Sequence, residues 1–86
     1  MTKIYIYCLF DTNKFVGVYS SIKAAHRDAL QLANRGNSDV YMIFDNTSHK
    51  PTLTSLRNYF KGKCDVEVKY RTDLTSIVVH KTKLKE

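Results

Sequence analysis

The segment from Lys3 to Phe10 alternates two sets of apolar side chains, which point to opposite faces if the segment is a β-strand. One set is mainly aliphatic and the other mainly aromatic: Ile4, Ile6, Cys8 and Phe10 against Tyr5, Tyr7 and Leu9. A strand that is apolar on both faces favours a central place in a sheet, and we expect the aliphatic set to face the core. If nothing covers the other face, its tyrosines form either a platform for stacked bases or a dimer interface.

A hairpin and a helix follow this strand. The turn residues 11–13 predict a tight connection to a second strand, 14–19. Ser20 or Ser21 is suited to cap a helix that begins at Ile22. Five apolar residues then recur on one stripe of that helix: Ile22, Ala25, Ala29, Leu32 and Ala33.

The remaining elements are shorter. Residues 39–45 predict a third strand, and a polar loop leads to a second helix between the Thr52 cap and Gly62. Residues 65–71 alternate apolar and polar side chains, and residues 76–82 form a last strand before a tail, 83–86, that we expect to fray. The fold class is therefore α+β, a small antiparallel sheet with two helices in the order ββαβαββ, within one domain, 1–86.

Composition sets limits on the environment. The apolar runs are far shorter than the roughly 20 residues that a membrane-spanning helix needs. No amino-terminal segment resembles a secretory signal, and Cys8 and Cys64 lie in or beside apolar strands, as small buried thiols do. We therefore expect free thiols, a reducing compartment and a cytoplasmic protein.

Residues for catalysis or metal binding are scarce. No pair of histidines has the helical spacing of a zinc site, and no Cys-x-x-Cys pair or Gly-rich phosphate loop is present. A metal-independent nuclease could use His49, His80, Lys50 and a tyrosine, but nothing in their spacing brings them together. The sequence predicts a protein that is not an enzyme and has no metal or other cofactor.

Positive charge is concentrated in the later half of the chain. The formal net charge is +6, of which residues 1–49 contribute +1 and residues 50–86 contribute +5. A field of this sign favours nucleic-acid phosphates, an acidic protein surface or an anionic membrane.

Basic side chains also alternate with aromatic ones. RNYFKGK and KYR carry both types, and lysines at 81, 83 and 85 share one face of the last strand and tail. The predicted phosphate-binding residues are Arg57, Lys61, Lys63, Lys69, Arg71, Lys81 and Lys83. Tyr59 and Tyr70 are the candidates for stacking on unpaired bases. A solvated lysine-rich edge that discourages aggregation, or a surface for an acidic protein, would produce the same pattern.

The stretch KIYIYCLFDTNKFVGVYSSIKAAHRDAL resembles the opening of many small phage proteins, in which a hairpin ending in VGVYSS leads into an alanine-rich helix. Short proteins rich in tyrosine and lysine are similar to the host-takeover and anti-defence proteins of T-even phages. The basic profile is similar to that of inhibitors of the ToxN endoribonuclease toxin. This resemblance implies a protein of the host cytoplasm that binds RNA together with a toxin and blocks RNA cleavage. The alternative is a protein-only inhibitor or a homodimeric module that uses the tyrosine face.

Overall fold

Two helices cover one face of a six-stranded antiparallel sheet in the computed structural model, which describes residues 4–36, 39–72 and 75–84. The strands are β1 (Tyr5–Asp11), β2 (Lys14–Tyr19), β3 (Tyr41–Phe44), β4 (Thr47–His49), β5 (Val66–Arg71) and β6 (Ser76–Lys83). The helices are α1 (Ile22–Ala33) and α2 (Leu53–Phe60), and a 3-10 turn, Asn34–Gly36, follows α1. In space the strands lie in the order β2-β1-β6-β5-β3-β4.

The predicted α+β class is confirmed, but the predicted order is wrong by one strand. The chain runs ββαββαββ, because Thr47–His49 forms β4 where the sequence indicated a loop. Asp45 and Asn46 both have positive φ, 52° and 58°, and connect β3 to β4 as a two-residue turn. Of the tail predicted to fray, 83–86, Lys83 belongs to β6 and the Leu84 amide donates a hydrogen bond to the Ile4 carbonyl, whereas residues 85–86 lie outside the described part of the chain.

The first hairpin and both helix starts agree with the sequence. Thr12 and Asn13 make the turn between β1 and β2 with φ of 48° and 69°. Ser21 caps α1, where its hydroxyl accepts a hydrogen bond from the Ala24 amide, and Thr52 caps α2 in the same way. The alanine stripe of α1 is buried as predicted.

The face of β1 that points to the core is the opposite of the one predicted. Leu9 is fully buried and Tyr7 packs against the core, whereas the other parity of β1 faces away from the helices. The core lies between this covered face of the sheet and the inner sides of the two helices. Its fully buried large side chains are Leu9, Met42, Leu56, Phe60, Val68, Tyr70, Ile77 and Val79.

One polar pair lies inside this core. The His26 imidazole on α1 and the Tyr70 hydroxyl on β5 are joined by a hydrogen bond of 2.6 Å to Nδ1. Burial lowers the pKa of His26 and raises the pKa of Tyr70, so both side chains stay neutral near pH 7. The bond satisfies two groups that would be costly to bury alone.

The lowered pKa of His26 predicts a pH dependence of stability. As pH falls from about 7 to about 5, the unfolded chain binds a proton at this histidine before the folded chain does, so the free energy of unfolding decreases. His26→Gln cannot titrate and should show a shallower decrease, the difference being at most about 1.4 kcal/mol per pH unit. Urea denaturation at several pH values measures it, with His80→Gln as the control. Equal slopes for wild type and His26→Gln would contradict the prediction.

Candidate functional site

Positive side chains gather where α2 ends. The Lys81 ammonium reaches from β6 and donates a hydrogen bond of 2.7 Å to the Phe60 carbonyl, and the Lys63 ammonium donates one of 2.8 Å to the Tyr59 carbonyl. These carbonyls are at the negative end of the helix dipole, which attracts cations. We call the five basic residues of this region the α2-end cluster: Arg57, Lys61, Lys63, Lys81 and Lys83.

The other members approach from α2 and β6. Lys61 follows the last residue of α2, and Arg57 lies one turn earlier, so the two share a side of the helix. Burial raises the pKa of the Tyr7 phenol, and the Arg57 guanidinium nearby acts in the opposite direction. Lys83 is exposed and lies two residues beyond Lys81 on the same face of β6, paired with Tyr5. Three segments of the chain therefore bring charge to one place.

Carboxylates of the described residues do not pair with the cluster. Within residues 4–36, 39–72 and 75–84, no carboxylate lies within 4 Å of any of its five cations; the ion pairs found there join Arg27 to Asp28, Arg35 to Asp11 and His80 to Asp65. Arg57, Lys61, Lys63 and Lys83 are also exposed to solvent. The cluster thus presents to a partner positive charge that no carboxylate of the described ranges pairs with.

Lys81 corrects one prediction. Lys81 is only 7% exposed. Its ammonium lies 4.4 Å from the centre of the Tyr5 ring and also donates the hydrogen bond to the Phe60 carbonyl. Lys63 makes similar contacts but is exposed, whereas Lys81 is buried and cannot be reached by a phosphate without displacing its neighbours, so Lys81 is not a direct phosphate ligand.

Neither predicted stacking residue is available to a base. Tyr70 is fully buried. The Tyr59 ring stacks on Phe44 at 4.2 Å between centroids, and the Lys63 ammonium lies 4.4 Å from its centre. Phe44 in turn stacks on His49 at 3.9 Å. Tyr59 is therefore an inner member of an aromatic column, and both of its faces are occupied.

Lys69 and Arg71 lie on the other side of the sheet from the cluster. Lys69 pairs with Val78 and Ile43, and Arg71 with Ser76 and Tyr41, all on the face that the helices leave uncovered. A shallow depression there is lined by Asp39, Tyr41, Ile43, Ser48, Arg71 and Thr72. The seven predicted cations thus divide between two surfaces and do not form one patch.

β2 carries an apolar surface that was not predicted from the sequence. Phe15, Val16 and Val18 are 60%, 45% and 53% exposed, although they belong to a strand. β2 is at one edge of the sheet, so its outer side has no neighbouring strand among the described residues. The sequence signal for this surface was the run KFVGVY, which is mostly apolar but too short to bury all of its side chains in a core.

The residues considered for nuclease chemistry do not converge. His49 pairs with buried Met42 and stacks on Phe44, on the covered side of the sheet. His80 pairs with Cys8 and Glu67 on the uncovered side. Among the residues described by the structure, no group of three His, Cys, Asp or Glu side chains is arranged to hold a metal ion. The described helices are also too short or too polar to cross a membrane.

No family model, curated protein or solved structure matches the chain. The α2-end cluster and the uncovered face are therefore interpreted from their own geometry.

The different surroundings of Lys81 and Lys83 predict different effects on stability. Lys81→Ala removes a hydrogen bond from a charged donor and the packing of a buried stem, so the free energy of unfolding should fall by about 2 kcal/mol. Lys83→Ala removes an exposed side chain two residues away and should change it by less than about 0.5 kcal/mol. Urea denaturation of both variants measures the contrast. Equal effects would show that Lys81 does not anchor α2.

Proposed function

We propose that this protein binds single-stranded RNA through the α2-end cluster. The observation that carries the proposal is the convergence of five cations from α2, the following loop and β6, with no carboxylate within 4 Å among the described residues. Lys61, Lys83, Arg57 and Lys63 supply the phosphate contacts. Lys81 fixes the position of α2 and adds to the field from inside the protein.

A flexible polyanion suits this surface better than a duplex does. The four exposed cations are on a helix, a loop and a strand end, and a flexible chain can adjust its phosphates to cations that come from three separate elements. α2 has only eight residues and packs on the sheet with Leu56 and Phe60, which prevents it from entering a major groove. With both faces of Tyr59 occupied, we expect phosphate contacts to dominate and base identity to matter little.

The biological role that we propose is inhibition of a host endoribonuclease toxin by a phage anti-defence protein. Support for this role comes only from the resemblance of residues 3–30 to small phage proteins and from the basic charge of the chain. In such a role the α2-end cluster holds RNA near the toxin and thereby blocks cleavage.

A protein-only interaction module is the second candidate. The exposed apolar residues of β2 favour it. The tyrosines of β1 are not available for such an interface, because the ring centroids of Tyr7 and Phe60 lie 6.0 Å apart and the Tyr5 ring contacts the Lys81 ammonium.

Charge reversal in the cluster tests RNA binding. Lys61→Glu/Lys83→Glu should weaken binding of a labelled, unstructured RNA about tenfold or more at low salt, because two phosphate contacts are lost. The plot of log affinity against log salt concentration should flatten by about 1.4, or about 0.7 for each contact with a single strand. Fluorescence anisotropy at several salt concentrations gives both values.

The matched control is Lys23→Glu/Lys50→Glu, which makes the same change in net charge at exposed lysines outside the cluster. It should keep most of the affinity and of the salt dependence. If both double variants lose equal affinity, binding depends on net charge alone and the assigned site is wrong.

Inhibition of the toxin needs a separate measurement. Added to an endoribonuclease toxin of the ToxN type with a labelled RNA substrate, the wild-type protein should slow cleavage, Lys61→Glu/Lys83→Glu should not, and Lys23→Glu/Lys50→Glu should. Undiminished cleavage in the presence of wild-type protein that binds RNA would reject the anti-defence role while leaving RNA binding in place.

A further inference from the structure

The β2 edge differs from the rest of the surface. Phe15, Val16 and Val18 are among the most exposed large apolar side chains of the described chain, and all three belong to one edge strand. An edge strand of this kind exposes backbone hydrogen-bonding groups together with apolar side chains, which is the combination that pairs with another strand.

The side chains of β2 are divided between the two faces by a bulge. Phe15 pairs with Phe10 and Val18 with Cys8 on the uncovered face. Gly17 pairs with Leu9 and Tyr19 with Tyr7 on the covered face. The register shifts between the Phe10–Phe15 pair and the Leu9–Gly17 pair. Val16 is the additional residue, and it lines a depression beside α1 together with Tyr19, Asp28, Gln31 and Leu32.

We propose that a second copy of this chain pairs with the β2 edge in an antiparallel arrangement, with a two-fold axis between Val16 and Gly17. This register places Phe15 opposite Val18 of the second copy on the uncovered face. It also places Lys14 opposite Tyr19 of the second copy on the covered face. In every pair the two residues lie on the same face, as antiparallel pairing requires. A strand without the bulge could not pair with itself in this register, because residues of opposite faces would then stand opposite each other.

The charges near β2 fit the same register. Lys14 is the only charged residue of β2, and an antiparallel two-fold arrangement keeps the two copies of Lys14 at opposite ends of the paired strands. Each Lys14 then meets Tyr19 of the second copy, whose hydroxyl donates a hydrogen bond of 2.7 Å to Asp28. Asp28, whose other carboxylate oxygen lies 3.1 Å from the Arg27 guanidinium, therefore places negative charge close to the incoming ammonium group.

The identity of the partner follows from the charge pattern. An acidic protein would find only Lys14 to pair with on β2, because the cations of the α2-end cluster belong to α2, the following loop and β6. A second copy, in contrast, meets an apolar strip and one complementary charge, although each chain has a net charge of +6. RNA binding at the α2-end cluster does not depend on this pairing.

The oligomeric state and its response to substitution test the proposal. Analytical ultracentrifugation of the full chain should give, with rising concentration, a species of about twice 10.0 kDa. Val18→Lys should raise the dissociation constant about tenfold or more, because it places a cation opposite Phe15 of the second copy. Leu84→Lys is the matched control, since Leu84 is 48% exposed but lies outside β2, and it should leave the dissociation constant unchanged.

A charge exchange tests the register. Lys14→Glu and Asp28→Lys should each weaken the dimer, and the double variant Lys14→Glu/Asp28→Lys should recover most of the loss. Circular dichroism of each variant verifies that it is folded, and the RNA affinity of Val18→Lys at a concentration where it is monomeric verifies that the α2-end cluster is intact.

Three results would overturn the proposal: a wild-type protein that stays monomeric at its highest soluble concentration, a dimer that tolerates Val18→Lys, or a double exchange without recovery. The first would make β2 an ordinary protected edge, the second would assign the dimer to another surface, and the third would reject the antiparallel register. None of these results bears on RNA binding, whose failure is read from Lys61→Glu/Lys83→Glu.

Discussion

The fold depends on one constraint, which is that two helices must cover a six-stranded sheet. α1 and α2 together provide enough apolar surface for one face, and the alanines of α1 allow it to lie close to the strands. The core therefore forms on a single side, where Leu9, Val68 and Val79 meet the helices. The other face keeps apolar and basic side chains, among them Lys69 and Arg71, in contact with solvent. The α2-end cluster lies on the covered side, where α2 ends on β6.

Residue periodicity was sufficient to predict most elements, but it could not identify the buried face of β1. Both parities of β1 are apolar, so the choice was made by partners distant in sequence: Phe60 beside Tyr7, and the register with β6. β4 was missed for a different reason. It has three residues and no apolar alternation, and its only sequence signal was the Asp45–Asn46 turn, which forms because these residue types tolerate a left-handed backbone.

The candidate site was predictable in part. Tyr70 and Lys81 share their strand face with Val68 and Val79, so the alternation that identified β5 and β6 already indicated that both side chains point to the core. Their residue types suggested binding, whereas their positions indicated burial, and position decided. The convergence of the cluster could not be predicted, because Lys81 meets the end of α2 only when β6 is placed between β1 and β5 beneath that helix.

The two surfaces are compatible because they use different interactions at different places. The α2-end cluster attracts a polyanion over several ångströms and weakens with salt, whereas the β2 edge acts by contact through apolar side chains and backbone groups. A two-fold pair built on β2 carries two α2-end clusters on one particle. An RNA long enough to reach both clusters then gains from the effective concentration that the first contact creates, while a short RNA occupies one cluster at a time. An affinity that rises with RNA length more steeply for the wild type than for monomeric Val18→Lys would therefore connect the proposed dimer to the proposed RNA binding, because this excess requires two clusters on one particle.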